Sequence, residues 1–310
     1  MPVVTSVDGA APQSMIFQTL AEVLCQPGGF IKIHGLGNDF IIVDGRERLF
    51  RPNVKTIVTL CNRNVGIGAD QLLVLEQPLS GDDDIRLRIY NIDGHEAETC
   101  LNATRCVAWF LLQDMGVEKV RIGTPGGTIE GFFAGDGIVT LKLPAARFDW
   151  QAIPLSEARD TLALGLTSGP LTAQVAVSLG NPHIVCFITD FDNIDVPRWA
   201  PALQQSPLLP KSANVGVAEI LDDCRMKLVV WERPGILTSA CGSGACAALV
   251  AARRLHLTQS SAMLVHMPGG DLTVREDSDG TLHLSGPVEV AFWGFLPQSL
   301  RDHQSEATKV

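Results

Sequence analysis

Short apolar runs separated by turn residues dominate the hydrophobic pattern from Phe30 onward. The first half of the chain contains FIIVDG, QLLVLE, IRLRIYN, KVRIGTPGG and GIVTLKLP; the second contains AQVAVSLG, HIVCF, VGVAEI, MKLVVWE, AMLVHMPGG and TLHLSGP. Runs of this length, rich in Val, Ile and Leu and bounded by Gly, Pro, Asn or Asp, predict β-strands. The pattern therefore predicts a fold that is mostly sheet.

The order of these signals repeats. Gly37-Asn38 recurs 143 positions later as Gly180-Asn181, and Cys100 recurs 141 positions later as Cys241. Four further matches follow in the same order: NVG at Asn64 with NVG at Asn214, Tyr90-Asn91 with Trp231-Glu232, TPGG ending at Gly127 with MPGG ending at Gly270, and Pro144 with Pro287. Six ordered matches indicate an internal duplication. We predict an α+β fold of two pseudo-symmetric α/β domains separated by a cleft.

Each half contains one prominent helix candidate, TRCVAWFLLQDMG ending at Gly116 and GACAALVAARRLHL starting at Gly244. Both segments are apolar around most of their circumference, so each helix should be buried on nearly all sides. We therefore expect each domain to be a curled, mostly antiparallel sheet around a central helix. Residues 1–28 are predicted to form an N-terminal extension, with a short helix from Met15 to Cys25, and residues 299–310 a C-terminal tail.

Composition narrows the class of protein. The 310 residues carry a net charge of −10 without a basic stripe, which argues against nucleic acid and against a polybasic membrane contact. No run of 18 apolar residues predicts a transmembrane helix, and the eight cysteines contain no CxxC pair that would predict structural zinc. We expect a cytoplasmic protein with reduced thiols, no bound metal and a small-molecule partner.

Two of the eight cysteines stand at equivalent helix heads. Asn102-Ala103 follows Cys100, and Gly242-Ser243-Gly244 follows Cys241. Small residues and Asn at a helix N-terminus let main-chain N–H groups converge on a carboxylate, and the helix dipole should lower the pKa of a nearby thiol. The remaining cysteines are predicted to be small buried core residues: Cys25, Cys61, Cys106, Cys186, Cys224 and Cys246.

Matched thiols on opposite sides of one ligand suit stereoinversion at carbon. One thiolate removes the hydrogen from one face, and one thiol returns a proton to the other. A metal site would need more ligands, and a cysteine hydrolase would need a histidine partner. The sequence therefore predicts an isomerase in which Cys100 and Cys241 face each other across the cleft.

The motifs HGLGNDFIIVD, NRNVGIGADQLLVLE, YNIDGHEAETCLNATRC, GNPH, WERPGILTSACGSGACA and MPGG resemble the diaminopimelate epimerase family from about Phe30 to Leu296. The resemblance implies interconversion of LL- and meso-diaminopimelate for lysine and cell-wall precursor biosynthesis, without pyridoxal phosphate or any other cofactor, in a homodimer. It also implies that the last strand returns to the first domain, which would then comprise 29–146 plus 287–298, with 147–286 as the second.

The resemblance further implies the residues of the site. Cys100 and Cys241 would be the acid/base pair, with His183 and Glu232 assisting. Arg233 would hold the distal carboxylate, and main-chain donors at Asn102, Gly242 and Ser243 the reacting one. The other substrate-binding residues implied are Asn38, Gln71, Asn91, Leu101, Asn181, Asn214 and Glu232.

Some residues depart from the family pattern. Leu101 and Ala103 stand where glycines are usual, Thr99 stands where some relatives carry an acid, and Pro234 and Ile236 replace Gly. If the backbone at Leu101 needed positive φ, it would be strained. These departures leave two alternatives open: a racemase or epimerase of another amino acid, of the histidine or hydroxyproline type, and a catalytically weak relative that acts as a binding protein.

Overall fold

The computed structural model describes residues 13–79, 81–135, 137–233 and 235–301. The helices are α1 Gln13–Leu24, α2 Val54–Cys61, α3 Leu101–Asp114, α4 Val196–Gln204, α5 Gly242–Arg254 and α6 Gln298–Arg301. The strands of the first half are β1 Gly29–Gly35, β2 Asn38–Asp44, β3 Gln71–Glu76, β4 Ile85–Asn91, β5 Glu96–Ala97, β6 Lys119–Thr124, β7 Gly127–Phe133 and β8 Ile138–Leu143. Those that follow are β9 Leu166–Ser168, β10 Leu171–Ala173, β11 Val175–Ser178, β12 Pro182–Phe187, β13 Asn214–Asp222, β14 Arg225–Glu232, β15 Ile236–Thr238, β16 Ala262–Met267, β17 Gly270–Glu276, β18 Leu282–Pro287 and β19 Glu289–Phe295.

One sheet of 17 strands runs through the molecule. Its main order in space is β19-β1-β2-β3-β4-β6-β7-β8-β18-β17-β16-β14-β13-β12-β11, with β5 and β15 paired to β4 and β14. Most pairs are antiparallel; β2/β3, β4/β6, β12/β13 and β14/β16 are parallel. The predicted α+β class is confirmed, with one addition: the sheets of the two halves join where β8 pairs with β18.

The first half (β1–β8) and the second half (β11–β18) repeat the same order of pairings. Helix α3 packs in the first half and α5 in the second, and nearly every residue of both is buried in one common core. Almost no side chain of either helix is exposed to water, which explains why both sequences are apolar on all sides. Each helix begins directly after its cysteine, so the two helix heads fall at equivalent places.

Two segments cross between the halves. Strand β19 follows β18 in sequence but pairs with β1, as in Phe30 opposite Gly294. The segment after β8 makes the equivalent contact in the other direction, where Arg147 forms an antiparallel bridge with Ser178 of β11. Each half therefore receives a piece of chain from the other.

The register of the parallel pairs corrects one sequence match. Phe40 lies opposite Gln71, and His183, 143 positions after Phe40, lies opposite Asn214. The counterpart of Asn214 is therefore Gln71, and the match with Asn64 was wrong. Asn64 is exposed in the turn after α2, before β3 begins at Gln71. The repeated NVG string is therefore a coincidence of sequence.

Two cysteines predicted to be buried are exposed instead. Cys25 follows the end of α1, and Cys224 lies in the turn between β13 and β14, where its N–H donates to Asp222 Oδ1 at 3.0 Å. Turn positions leave these side chains in water. Within the described ranges, no helix is long and apolar enough to cross a bilayer.

Candidate active site

The two helix heads meet at one cavity of about 500 Å³. Cys100 and Cys241 are the residues immediately before α3 and α5, and both have extended backbones, with φ of −148° and −135°. The heads are close, because a Cβ added at Gly242 would lie 3.2 Å from Leu101 Cβ. Both thiols line this cavity, so the chain brings one from each half to a single site.

Every residue that the sequence placed in the site lines the cavity, except His183. The residues that line it are Asn38, Gln71, Asn91, Ala97, Glu98, Thr99, Cys100, Leu101, Asn102, Leu179, Gly180, Asn181, Asn214, Glu232, Arg233, Ala240, Cys241, Gly242 and Ser243. A cavity of this size suits a small polar ligand. Its lining of amides, hydroxyl and charged groups suits a zwitterion.

In the first half, a two-residue turn directs Asn38 into the cavity. Leu36 and Gly37 both have positive φ, 59° and 81°, which is typical of the tight turn between antiparallel strands. Asn38 Nδ2 donates to Asp70 Oδ2 at 2.8 Å, so its Oδ1 faces the helix head. That oxygen accepts from Asn102 Nδ2 at 3.3 Å and lies 4.0 Å from Cys100 Sγ.

Asp70 belongs to a charged cluster behind Asn38. Arg63 bridges Asp39 and Asp70 at 2.7 and 2.8 Å, and Lys32 Nζ reaches Asp39 Oδ2 at 2.6 Å. Burial alone would raise the pKa of Asp39, but hydrogen bonds and positive charge from Arg63 and Lys32 outweigh it and hold that pKa well below its ordinary value. Asn38 is therefore held by Asp70, which is itself bridged to Asp39 by Arg63.

In the second half, Asn181 has the equivalent place but a neutral support. Its Nδ2 donates to Ser243 Oγ at 3.4 Å, and Ser243 Oγ lies 3.6 Å from Cys241 Sγ. His183 lies behind Asn181 and is buried: its Nε2 is 3.1 Å from Asn181 Oδ1 and 3.4 Å from Asn214 Nδ2. Burial and the charge of Arg233 lower the pKa of His183 to about 3, so its ring is neutral at physiological pH.

Equivalent strand ends supply the other polar groups. Gln71 Nε2 donates to Asn91 Oδ1 at 2.8 Å across β3 and β4. At the corresponding place, Asn214 Oδ1 accepts from the backbone N–H of Arg233 at 3.0 Å, and Glu232 Oε1 accepts from Thr238 Oγ1 at 2.6 Å. The second half thus places a carboxylate where the first half has the amide of Asn91.

Both thiols are held in the protonated form. Burial raises the pKa of Cys100 to about 11, although the backbone N–H groups of Ala103 and Asn102 act against it. Burial, followed by the negative charge of Glu232, raises the pKa of Cys241 well above its ordinary value. The expectation that the helix heads lower these pKa values is wrong, because loss of hydration outweighs the helix-end donors.

Arg233 is the exposed cation of the cavity. Its Nη1 donates to Lys211 O at 3.2 Å, and none of the described carboxylates forms a salt bridge with it. Burial lowers the pKa of Arg233 and outweighs the negative charges of Glu98, across the cavity, and Glu232, which act to raise it. Sequence reasoning missed Glu98, and its place two residues before Cys100 was the available signal.

The departures from the family pattern that lie in the described residues have no backbone strain from positive φ. Leu101 is the first residue of α3 and does not have positive φ, so its side chain only reshapes the cavity wall. Ala103 is fully buried in the helix, and Ile236 is 57% exposed on β15. Pro234 lies outside the described residues.

The fold is shared with solved structures of epimerases. A hydroxyproline epimerase from Agrobacterium vitis matches 86% of this chain and 90% of its own length with a TM-score of 0.63 and 13% sequence identity. At that identity the likeness shows the fold alone. The class that these structures define for the chain is therefore one of fold, a mixed α+β architecture of two similar halves.

Sequence comparison defines the family within that class. The family model "Diaminopimelate epimerase" matches residues 30–142 and 175–290. The chain is 39% identical to a diaminopimelate epimerase from Rhodospirillum centenum over 271 residues, covering 87% of this chain and 93% of that protein. It is 43% identical to another from Gluconobacter oxydans over 265 residues, covering 86% and 97%. The chain belongs to the diaminopimelate epimerase family.

Proposed function

We propose that this chain interconverts LL- and meso-diaminopimelate, in lysine biosynthesis, by means of Cys100 and Cys241. One observation carries the proposal: a thiol from each half stands at the head of a buried helix, and both line one polar cavity. Relatives that share 39–43% of their residues with this chain carry the name of this activity. The reaction needs no group beyond two thiols and a means of stabilising negative charge.

Substrate charge and cavity charge are complementary in this proposal. The reacting carboxylate lies at the two helix heads, where N–H groups of Asn102, Gly242 and Ser243 donate to it. The distal carboxylate binds Arg233, whose planar guanidinium can donate two parallel hydrogen bonds. The ammonium groups face the carboxylate of Glu232 and the amide oxygens, with Asn38, Gln71, Asn91, Asn181 and Asn214 as the amides that line the cavity.

The proton transfers use the two thiols in opposite roles. In one direction, the Cys241 thiolate takes the α-hydrogen and becomes a thiol, and the electron pair stays on the α-carbon and its carboxylate. The Cys100 thiol then gives its proton to the opposite face and becomes the thiolate. The reverse reaction exchanges the roles, and the helix-head donors stabilise the carbanionic intermediate.

Glu232 has the geometry to prepare the first thiolate. Its carboxylate interacts with the Cys241 thiol, and burial raises the pKa of Glu232, which brings its basicity closer to that of the thiol. Transfer of the Cys241 proton to Glu232 leaves the thiolate next to the bound ammonium groups, whose charge stabilises it. After turnover Glu232 releases that proton and the Cys100 thiolate takes up one proton, which restores the starting state. His183 does not line the cavity, so we assign it the positioning of Asn181 and Asn214.

Incubation with LL-diaminopimelate in D₂O under reducing conditions tests the function. Epimerisation with uptake of α-deuterium is expected. Exchange on histidine or hydroxyproline, without exchange on diaminopimelate, would support the other racemase types. No exchange on any of these by the folded, reduced protein would support a binding protein.

We further propose a cytoplasmic homodimer. All eight cysteines are free thiols, as suits a reducing compartment. Strand β19 exposes Phe292, Trp293 and Phe295 by 46%, 42% and 49%, an apolar surface that a second copy can cover. Sedimentation analysis of the protein and of Trp293→Lys tests the dimer; a monomeric wild type would contradict it.

A further inference from the structure

Arg105 is the largest fully buried side chain of the described residues, and the proposed mechanism does not use it. It lies one turn into α3, with zero solvent exposure. Among the described residues no carboxylate pairs with it, and burial lowers the pKa of its guanidinium. A buried cation without an anionic partner is costly, so its place in the core needs a reason.

Its hydrogen bonds lead to the helix heads. Arg105 Nη1 donates to Asn102 Oδ1 at 3.0 Å, and Nε donates to Pro287 O at 3.4 Å. Because the amide oxygen of Asn102 faces Arg105, its Nδ2 group must face the other way. There it donates to Ala240 O at 3.1 Å and to Asn38 Oδ1 at 3.3 Å.

These hydrogen bonds connect the two main-chain segments that carry the thiols. Asn102 lies two residues after Cys100, and Ala240 is the residue directly before Cys241. The bond from Asn102 to Ala240 therefore spans the boundary between the halves at their reactive ends. Without Arg105, the amide of Asn102 would lose the partner that fixes its orientation.

The surrounding core is shaped to hold the guanidinium. A Cβ added at Gly35 would lie 2.5 Å from Arg105 Nη2, and one at Gly286 would lie 2.5 Å from Leu272 Cδ2 and 3.2 Å from Arg105 Nε. Both glycines are thus needed for the closest approach of the backbone to this side chain. The equivalent position of α5 holds Cys246, which has no long polar side chain, so this arrangement belongs to the first half only.

We infer that Arg105 is a positioning residue that fixes Asn102 across the two helix heads and so sets the separation of Cys100 and Cys241. The inference rests on the proposed function for its effect on turnover. Its geometric effect can be measured without turnover, from the equilibrium for closing the Cys100–Cys241 disulfide in glutathione buffers. That equilibrium depends on how closely the folded protein holds the two sulfur atoms.

The test compares Arg105→Met and Arg105→Lys with Val107→Ala, a fully buried position of the same helix whose side chain cannot form a hydrogen bond to Asn102. We expect Arg105→Met to lower kcat for diaminopimelate about 100-fold with little change in KM, because the distal clamp is untouched. The disulfide equilibrium constant should fall in parallel. Arg105→Lys should restore part of both losses, since an ammonium group can donate to Asn102 but lacks the planar fork.

Folded Arg105→Met with the kcat and disulfide equilibrium of Val107→Ala would overturn the inference. If Arg105→Met does not fold, Arg105→Lys decides: wild-type values for both quantities would overturn it, and a loss in both supports it. If wild-type protein does not act on diaminopimelate, yet the disulfide equilibrium still falls in the Arg105 variants, the proposed function fails and the positioning role stands.

Discussion

The two helix heads have similar backbone conformations but differ in the side chains that support them. On the first, Asn38 is held by Asp70, which forms a salt bridge with Arg63, and Asn102 is held by the buried Arg105. On the second, the neutral ring of His183 supports Asn181. Duplication therefore fixed where the reactive residues stand, while their supports diverged.

This difference makes the two thiols unequal. Burial raises the pKa of both thiols, and the negative charge of Glu232 adds to the rise at each, whereas the positive charge of Arg105 opposes it at Cys100. An enzyme that works in both directions needs two thiols of matched position, but nothing requires them to have equal environments. The symmetry of the backbone is thus a poor guide to the electrostatics of the site.

The largest expected effect is loss of either thiol. Cys100→Ala and Cys241→Ala should each lower turnover by about 10³-fold or more, because one acid and one base are both required. Cys246→Ala, a buried cysteine on α5 that does not line the cavity, is the control for a lost thiol. Turnover of Cys100→Ala or Cys241→Ala equal to that of Cys246→Ala would remove that thiol from the mechanism.

The second largest effect is expected from loss of Arg233, the cation that lines the cavity from the second half. Arg233→Gln should raise KM about 100-fold, because a carboxylate of the substrate would lose its charged partner. Arg225→Gln, at the start of β14, which ends one residue before Arg233, is paired with Asp222 and should leave KM unchanged. Steady-state kinetics decide; equal KM values for the two variants would contradict a substrate role for Arg233.

A smaller effect is expected on the pH dependence of stability, to which the support on the second half, His183, contributes. The pKa of His183 is lowered to about 3 in the folded state, chiefly by burial. As pH falls, His183 is therefore protonated in the unfolded state before it is protonated in the folded state. Stability should therefore be lost from pH 6.5 downward, by about 1.4 kcal/mol per unit for this one group. His183→Phe, which copies Phe40 at the equivalent place, should reduce this loss when urea unfolding is measured at pH 7 and pH 5. Equal losses in both proteins would show that His183 is not held neutral.

The smallest effect concerns the far ends of the same helices. Gly116 after α3 and His256 after α5 both have positive φ, 63° and 56°. Glycine adopts this conformation without strain and histidine does not, so His256→Gly should raise the free energy of unfolding by about 0.5–1 kcal/mol. Gly116→Ala should lower it by a similar amount. Chemical denaturation measures both, and a destabilised His256→Gly would contradict the comparison.

The repeat made much of the fold and site predictable. Local patterns in the sequence predicted the matched strands, the apolar helices and the cysteines at the helix heads. Resemblance to a family predicted the residues that line the cavity. What the sequence did not show depends on contacts between distant segments. The thiol pKa values are set by how completely the halves bury them, and His183 and Arg105 act through neighbours that only the folded chain supplies. The domain boundaries at 146 and 287 remain a prediction.

The exchange of segments between the halves has a consequence for how such a molecule could arise. A single half made as its own polypeptide would carry a final strand with no place on its own sheet. It would find that place on a second identical polypeptide, and the two reactive ends would then face each other across a true two-fold axis. Fusing two copies into one gene preserves that assembly and frees each copy to mutate separately.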